Sequence, residues 1–259
     1  ETLGGRARQL KKQGFTFDMG PSWYWMPDVF ESFYNDFGKS TNDFYKLNRL
    51  DPGYQVVFGE NEIIPIGDSL EKIYEVFEKE EAGSSQKLEK FIASAKDNYK
   101  IAIKDLVYRP GLSPLELVTK ETVTRVDQFF KTISSEVRRK FKNPKLISTL
   151  EFPVLFLGAK PSNTPSFYSF MNFADFDLGT WHPKGGMYEV IKAMRDLATS
   201  LGVSIHTNTA VEKINVIDGV TSGITVNGIE IDSDFVLSGA DYCHSETLLK
   251  KEYRQYSEA

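Results

Sequence analysis

The last third of the chain constrains the fold most. From Gly185 onward, Met187, Val190, Ile191, Met194 and Leu197 repeat at helical spacing, and this stripe gives way to short β-rich runs at 203–205, 211–216 and 222–226. Asn227-Gly228 follows, a dipeptide that tolerates the positive φ of a two-residue hairpin turn. A further run at 234–238 is expected as a strand leading into Gly239-Ala240-Asp241 and a helical tail. A helix feeding a strand meander excludes an all-helical protein, and the expected class is α/β, or α+β in its looser form.

Upstream, residues 1–40 are Gly-rich and then densely aromatic. Runs at 54–58 and 63–66 flank Gly59-Glu60-Asn61 and read as a hairpin. Asp68 and Glu71 stand at capping-box spacing, and Leu70, Ile73, Tyr74 and Phe77 share one face, which predicts a helix over 69–81. Leu88, Phe91, Ala95, Tyr99 and Leu106 predict a second helix ending before Pro110-Gly111. The stripe Val123, Val126, Phe130, Ile133, Val137, Phe141 predicts a third, with Arg138, Arg139 and Lys140 at its C-terminal end. After Pro144 the pattern is irregular, apolar and aromatic, and is read as mixed strand and loop.

Composition narrows the function classes. The formal net charge of −5 over 259 residues gives no global basis for binding nucleic acid. One cysteine, Cys243, rules out an internal disulfide and a paired-cysteine metal site, and His182, His206 and His244 lack metal-ligand spacing, so no metal is expected. No window reaches the apolar length of a spanning helix. Gly4-Gly5 has no preceding element to connect, and a chain lacking its first segments is expected.

Three motifs stand in order. Gly4-Gly5-Arg6 combines backbone that can approach a phosphate or ribityl group with a fixed cation; Phe17-Asp18-Met19-Gly20-Pro21-Ser22 follows, and Gly185-Gly186-Met187 opens the late helix. With Leu157-Gly158-Ala159-Lys160-Pro161, the run from Gly179 to Met187, and Val236-Leu237-Ser238-Gly239-Ala240-Asp241, this set resembles the phytoene desaturase (carotenoid desaturase) family of the flavin amine-oxidase-like group. The resemblance implies FAD as cofactor, a Rossmann-like FAD-binding portion and an inserted substrate-binding domain of mixed sheet and helices. The implied divisions are 1–50 for FAD, 51–184 for substrate and membrane, and 185–259 for the return to the FAD portion. By the same resemblance Gly4, Gly5 and Arg6 touch FAD, Gly20, Pro21 and Ser22 lie near its ring, and Val211 offers backbone to the adenine, though its β-branched side chain equally suits an ordinary strand position. The family's GxGxxG turn, its ribose-binding acid and its C-terminal glycine-rich flavin segment are absent from the sequence.

The family chemistry would be desaturation of a carotenoid at a membrane surface, by a cytoplasmic, peripherally associated protein of unstated oligomeric state. A hydride acceptor is required that no side chain supplies. Trp23, Tyr24, Trp25 and Met26 are candidates for the substrate pocket, with core packing as the competing reading. No catalytic residue is assigned: the stretch where some bacterial members carry an acid and an arginine reads Asn143-Pro144-Lys145-Leu146-Ile147. The basic run 138–145 and the helix before it fit either a lipid surface or a solvated helix end. A carotenoid isomerase or saturase on the same fold, and a non-enzymatic prenyl-binding protein resembling Rab GDP-dissociation inhibitor, are the alternatives. Ser22 has no hydrolase triad around it.

Overall fold

The computed structural model describes residues 2–256 and separates into two compact units, one of residues 4–196 and one of the chain from Leu197 together with its first residues. Helix and sheet are mixed in sequence. The first unit opens on a single 3-10 turn at Gly5–Ala7 and the antiparallel hairpin β1 (Gln9–Lys12) and β2 (Phe15–Asp18), with Gln9 opposite Asp18. Helix α1 (Pro27–Asn35) and strand β3 (Leu47–Arg49) follow. Strands β4 (Tyr54–Gly59) and β5 (Glu62–Ile66) then form the expected hairpin.

Helices α2 (Leu70–Glu80) and α3 (Ser84–Lys104) also stand where periodicity puts them. The cap of α2 differs: Ser69 accepts the Lys72 amide, while Asp68 pairs with Lys72 at 2.8 Å. A serine can reach the amide of the third helical residue as well as an aspartate can.

The third predicted helix is broken into α4 (Lys120–Val123), α5 (Val126–Phe130) and α6 (Ile133–Lys140). The break before α6 has a local cause. Thr132 accepts the Ser135 amide at 3.1 Å and starts a fresh helix, while the Ile133 amide donates to the Thr164 carbonyl at 2.9 Å. The apolar stripe divides with it: Ile133, Val137 and Phe141 are fully buried, whereas Val123, Val126 and Phe130 are exposed.

The region read as strand and loop is helical instead. Asn143 caps α7 (Pro144–Glu151) by accepting the Lys145 amide, with Pro144 at the first helical position. A 3-10 segment at Phe152–Leu157 ends on Gly158 at φ 71°, and α8 (Phe170–Phe176) follows. Phe170 and the run from Asn172 to Phe176 are all buried, so α8 shows no polar face and therefore no helical period. The core of this unit is packed by α2, α3, α6, α7, α8 and β5 around Phe77, Leu88, Phe141, Leu146 and Phe176.

Strand β6 (Trp181–Pro183) pairs antiparallel with β3, and helix α9 (Tyr188–Ser200) follows. The second unit holds the meander β7 (Val211–Ile217), β8 (Val220–Val226) and β9 (Ile229–Asp232) and the short helix α10 (Tyr242–Thr247). Asn227 and Gly228 turn β8 into β9 at φ 50° and 73°, as their sequence requires. Two expected strands are not formed. The Val203 amide returns to the Ala198 carbonyl and the Gly202 amide to Thr199, closing α9 with a glycine C-cap that uses the backbone a strand would need. Residues 234–238 have no regular structure, no strand among the described residues pairs with them, and Phe235 and Leu237 are exposed.

Candidate functional site

Asp18 assembles the motifs of the first unit. The β1–β2 hairpin returns the chain so that the Met19 amide donates to the Arg8 carbonyl at 2.9 Å, which sets the Gly20 segment beside the Gly4-Gly5-Arg6 turn. Gly20 passes so close to the Arg6 carbonyl that any Cβ there would collide with it. Asp18 then reaches the late motif: its carboxylate accepts the Met187 amide at 2.7 Å and the Tyr188 amide at 3.3 Å. Both N–H groups lie at the start of α9, where a negative charge is favoured. Gly186, at φ 102°, leaves room for that carboxylate, since a Cβ would stand 2.7 Å from Asp18 Oδ2.

Arg6, Gly20, Pro21, Ser22, Trp23, Trp25, Phe152 and Phe156 line one cavity of about 950 Å³. Its rim is polar and cationic, and no described acidic side chain pairs with the exposed Arg6 guanidinium. Its wall is aromatic. Trp23 stacks on Trp25 at 5.7 Å and on Tyr54 at 5.0 Å between ring centres, and Phe152 and Phe156 stand near-perpendicular to Trp23 at 5.9 and 5.8 Å. The Trp25 indole N–H donates to Thr180 Oγ1 at 2.8 Å, so the segment beginning at Gly179 buttresses the wall.

The extended backbone at 23–25 divides its side chains between two faces. Trp23 and Trp25 face the cavity. Tyr24 is 1% exposed, packs on Phe30 and shares a 2.8 Å hydrogen bond with the Tyr45 hydroxyl. Met26 turns into helix α1 at φ 55° and packs against the core. Tyr24 and Met26 therefore belong to packing rather than to the cavity wall. Gly4 and Gly5 make the turn before Arg6, with left-handed φ of 104° and 50°, and do not line the cavity. Val211 lies in the second unit, on a separate cavity of about 400 Å³ with Val236, Leu237 and Gly239.

Sequence reasoning missed Phe152, Phe156, Tyr54 and Asp175. The two phenylalanines stand four residues apart in a segment read as irregular. Asp175 sits in the apolar run Phe173-Ala174-Asp175-Phe176, and a lone carboxylate there is itself a signal, because buried charges are rare. It is 2% exposed and accepts the Tyr54 hydroxyl at 2.5 Å. Burial pushes its carboxyl up to about 8 even though the Tyr54 hydrogen bond pulls the other way. Burial and the adjacent Asp175 hold the Tyr54 phenol well above its ordinary value.

Residues 1–258 match the family model for flavin containing amine oxidoreductases. The carotenoid 3,4-desaturase of Haloarcula japonica is 36% identical over 262 residues, an alignment covering 100% of this chain and 53% of that protein. The zeta-carotene-forming phytoene desaturase of Myxococcus xanthus is 30% identical, covering 98% and 52%. The crystal structure of an oxidoreductase from Methanosarcina mazei superposes with a TM-score of 0.55 at 18% identity, over 96% of this chain and 53% of that one, and shares the fold. The chain belongs to the flavin containing amine oxidoreductase family, a family of FAD-dependent oxidoreductases, and its relatives include carotenoid desaturases. It spans about half the length of the curated relatives it matches.

The residues present fit one face of a flavin site. A Cβ at Gly20 would close the backbone crossing, so glycine keeps the main chain bare beside the Arg6 guanidinium, with which no acidic side chain among the described residues pairs.

Proposed function

We propose that this chain is the substrate-facing part of an FAD-dependent carotenoid desaturase, with residues 51–184 as a substrate-binding region inserted between the FAD-binding portions 1–50 and 185–259. The observation that carries this reading is the single cavity in which a rim of Arg6, Gly20, Pro21 and Ser22 meets a wall of Trp23, Trp25, Phe152 and Phe156. A flat, apolar, conjugated chain matches such a wall, because stacked and edge-on rings offer contact area without demanding hydrogen bonds.

Removing hydride and a proton from neighbouring carbons requires a two-electron acceptor, which bound flavin supplies. Arg6 and the bare backbone at Gly20 would hold the cofactor at the rim, with Gly4 and Gly5 forming the turn that carries Arg6. The aromatic wall would hold the polyene in line with it and keep water from the reacting bond. No carboxylate or imidazole lines the cavity among the described residues, so no general base is assigned.

We further propose peripheral attachment to a membrane on its cytoplasmic side, giving access to dissolved carotenoid. No helix among the described residues is long and apolar enough to cross a membrane. Leu112, Leu115 and Phe130 are 86%, 76% and 85% exposed in the stretch between the end of α3 and the end of α5, which favours a lipid-facing role for them. The basic run contributes less free charge than its sequence implies: Arg138 pairs with Glu151, Arg139 and Lys140 pair with Glu136, and Lys145 reaches Glu62.

The test is product mass after incubation of the full-length flavoprotein with acyclic and end-modified carotenoids in liposomes. Loss of two hydrogens supports desaturation. Unchanged mass with altered geometry would make the protein an isomerase, a gain would make it a saturase, and binding of prenyl groups without flavin would remove it from the enzymes.

A further inference from the structure

Behind the aromatic wall lies a polar pair that the cavity itself does not touch. Tyr54, at the start of β4, has its ring against Trp23 at 5.0 Å and Phe152 at 5.8 Å. Its hydroxyl points the other way, into the core, and donates to Asp175 Oδ2 on α8 at 2.5 Å. The second oxygen, Asp175 Oδ1, is buried without a partner. A carboxyl in that position is costly, since an unpaired buried acceptor forfeits its hydration. An apolar residue between Ala174 and Phe176 would pack without this cost. What Asp175 provides in return is a fixed direction for one ring.

We propose that Asp175 is a positioning residue for the substrate wall, acting through Tyr54 to fix the plane of Trp23 against which the polyene lies. The proposal rests on the reading of the cavity as a polyene site. A stacked ring that slides or tilts loses contact with both its neighbours, because ring pairs are held by shape and quadrupole rather than by a directional bond. The Tyr54 hydroxyl supplies the missing direction. Trp23 touches Tyr54 on one side and Trp25 on the other, so an orientation set at Tyr54 passes to both tryptophans. Trp25 has its own anchor in Thr180, which makes Trp23 the ring that depends on Asp175.

The test uses the full-length flavoprotein with Tyr54→Phe, Asp175→Asn and Asp175→Leu. Each is read by near-ultraviolet circular dichroism, by binding of a carotenoid in phosphatidylcholine liposomes, and by KM and kcat. Tyr54→Phe keeps the ring and removes the tether, so the aromatic dichroism should fall and carotenoid binding should weaken about tenfold, with kcat at saturation changed less than about twofold. Asp175→Asn keeps an acceptor for the hydroxyl and should restore both readouts. Asp175→Leu should reproduce Tyr54→Phe.

Failure of asparagine to restore them, or a Tyr54→Phe protein with unchanged dichroism and binding, would overturn the proposal. If Asp175→Leu does not fold, as judged by far-ultraviolet dichroism, Tyr54→Phe and Asp175→Asn decide the matter alone. A wild-type protein that binds no carotenoid would sink the functional reading. The dichroism arm would still report whether Asp175 orients the rings.

Discussion

Replacing Asp175 by asparagine gives a pH-dependent test of the core. In the folded protein its carboxyl titrates at about 8, raised by burial, whereas in the unfolded chain an aspartate titrates at about 3.9. Between these two values the native state holds a proton that the unfolded state has released. Raising the pH therefore favours unfolding, and the stability contributed by the protonated carboxyl is complete below about pH 4 and lost as pH rises through about 8. The loss is about 1.4 kcal/mol for each pH unit crossed, or about 6 kcal/mol over the whole span as an upper bound. Asparagine has the same shape and no proton to lose. Urea denaturation of both proteins at several pH values should show the Asp175→Asn protein gaining on the wild type steadily up to about pH 8 and levelling off above it. A stability difference that does not change with pH would refute the burial argument, because a carboxyl already ionised in the fold has no proton to release.

Asp18→Ala removes the acceptor for the Met187 and Tyr188 amides; thermal unfolding should show a loss of about 2 kcal/mol, and FAD affinity should fall with it. Asp18→Asn keeps one acceptor oxygen and should lose less in the same assay. Gly20→Ala puts a methyl group onto the Arg6 carbonyl, and flavin titration should show FAD binding weakened by about tenfold or more. Trp23→Ala opens the wall without touching the rim, so carotenoid binding in liposomes should drop about tenfold while FAD affinity holds. Leu112→Glu combined with Phe130→Glu should abolish co-sedimentation with liposomes and leave the unfolding temperature within a few degrees of wild type, since both side chains are exposed.

The elements legible in the sequence are those with one wet face. The β4–β5 hairpin, α2, α3, α9 and the strands β7 and β8 stand where the sequence pattern puts them, and Asn227-Gly228 specifies its turn chemically, whereas β9 itself, exposed along its length, was not among the expected strands. Helix α8 was illegible for the opposite reason. Most of α8 is buried, and a helix buried all round has no period to read; α7 does carry a stripe of Leu146, Ile147 and Leu150 with Ser148 exposed, but over only eight residues. The stripe from Val123 to Phe141 is periodic in sequence but crosses the breaks between three short helices, its first half exposed and its second buried, and the Thr132–Ser135 capping pair marks the join before α6. Strand candidates at 203–205 and 234–238 had the right residue types, but a strand is defined by its partner, which local sequence does not contain.

The site was legible as motifs and not as geometry. Gly4-Gly5-Arg6, the segment from Phe17 to Ser22 and Gly185-Gly186-Met187 do converge within the first unit, through Asp18. Of four adjacent aromatic and sulfur-bearing candidates, alternation sent Trp23 and Trp25 to the cavity and Tyr24 to the core. Phe152 and Phe156 joined the wall from a distant segment, a juxtaposition that depends on how α7 and the 3-10 segment pack.

The central claim is that the Arg6–Gly20 rim and the tryptophan wall serve one flavin-dependent desaturation. Anaerobic mixing of the FAD-loaded, full-length protein with an acyclic carotenoid in liposomes tests it in a single turnover. Bleaching of the flavin absorption band in step with a red shift of the carotenoid spectrum, one lengthened chromophore for each flavin reduced, is the expected result. A flavin band that stays oxidised while the carotenoid binds would contradict the account.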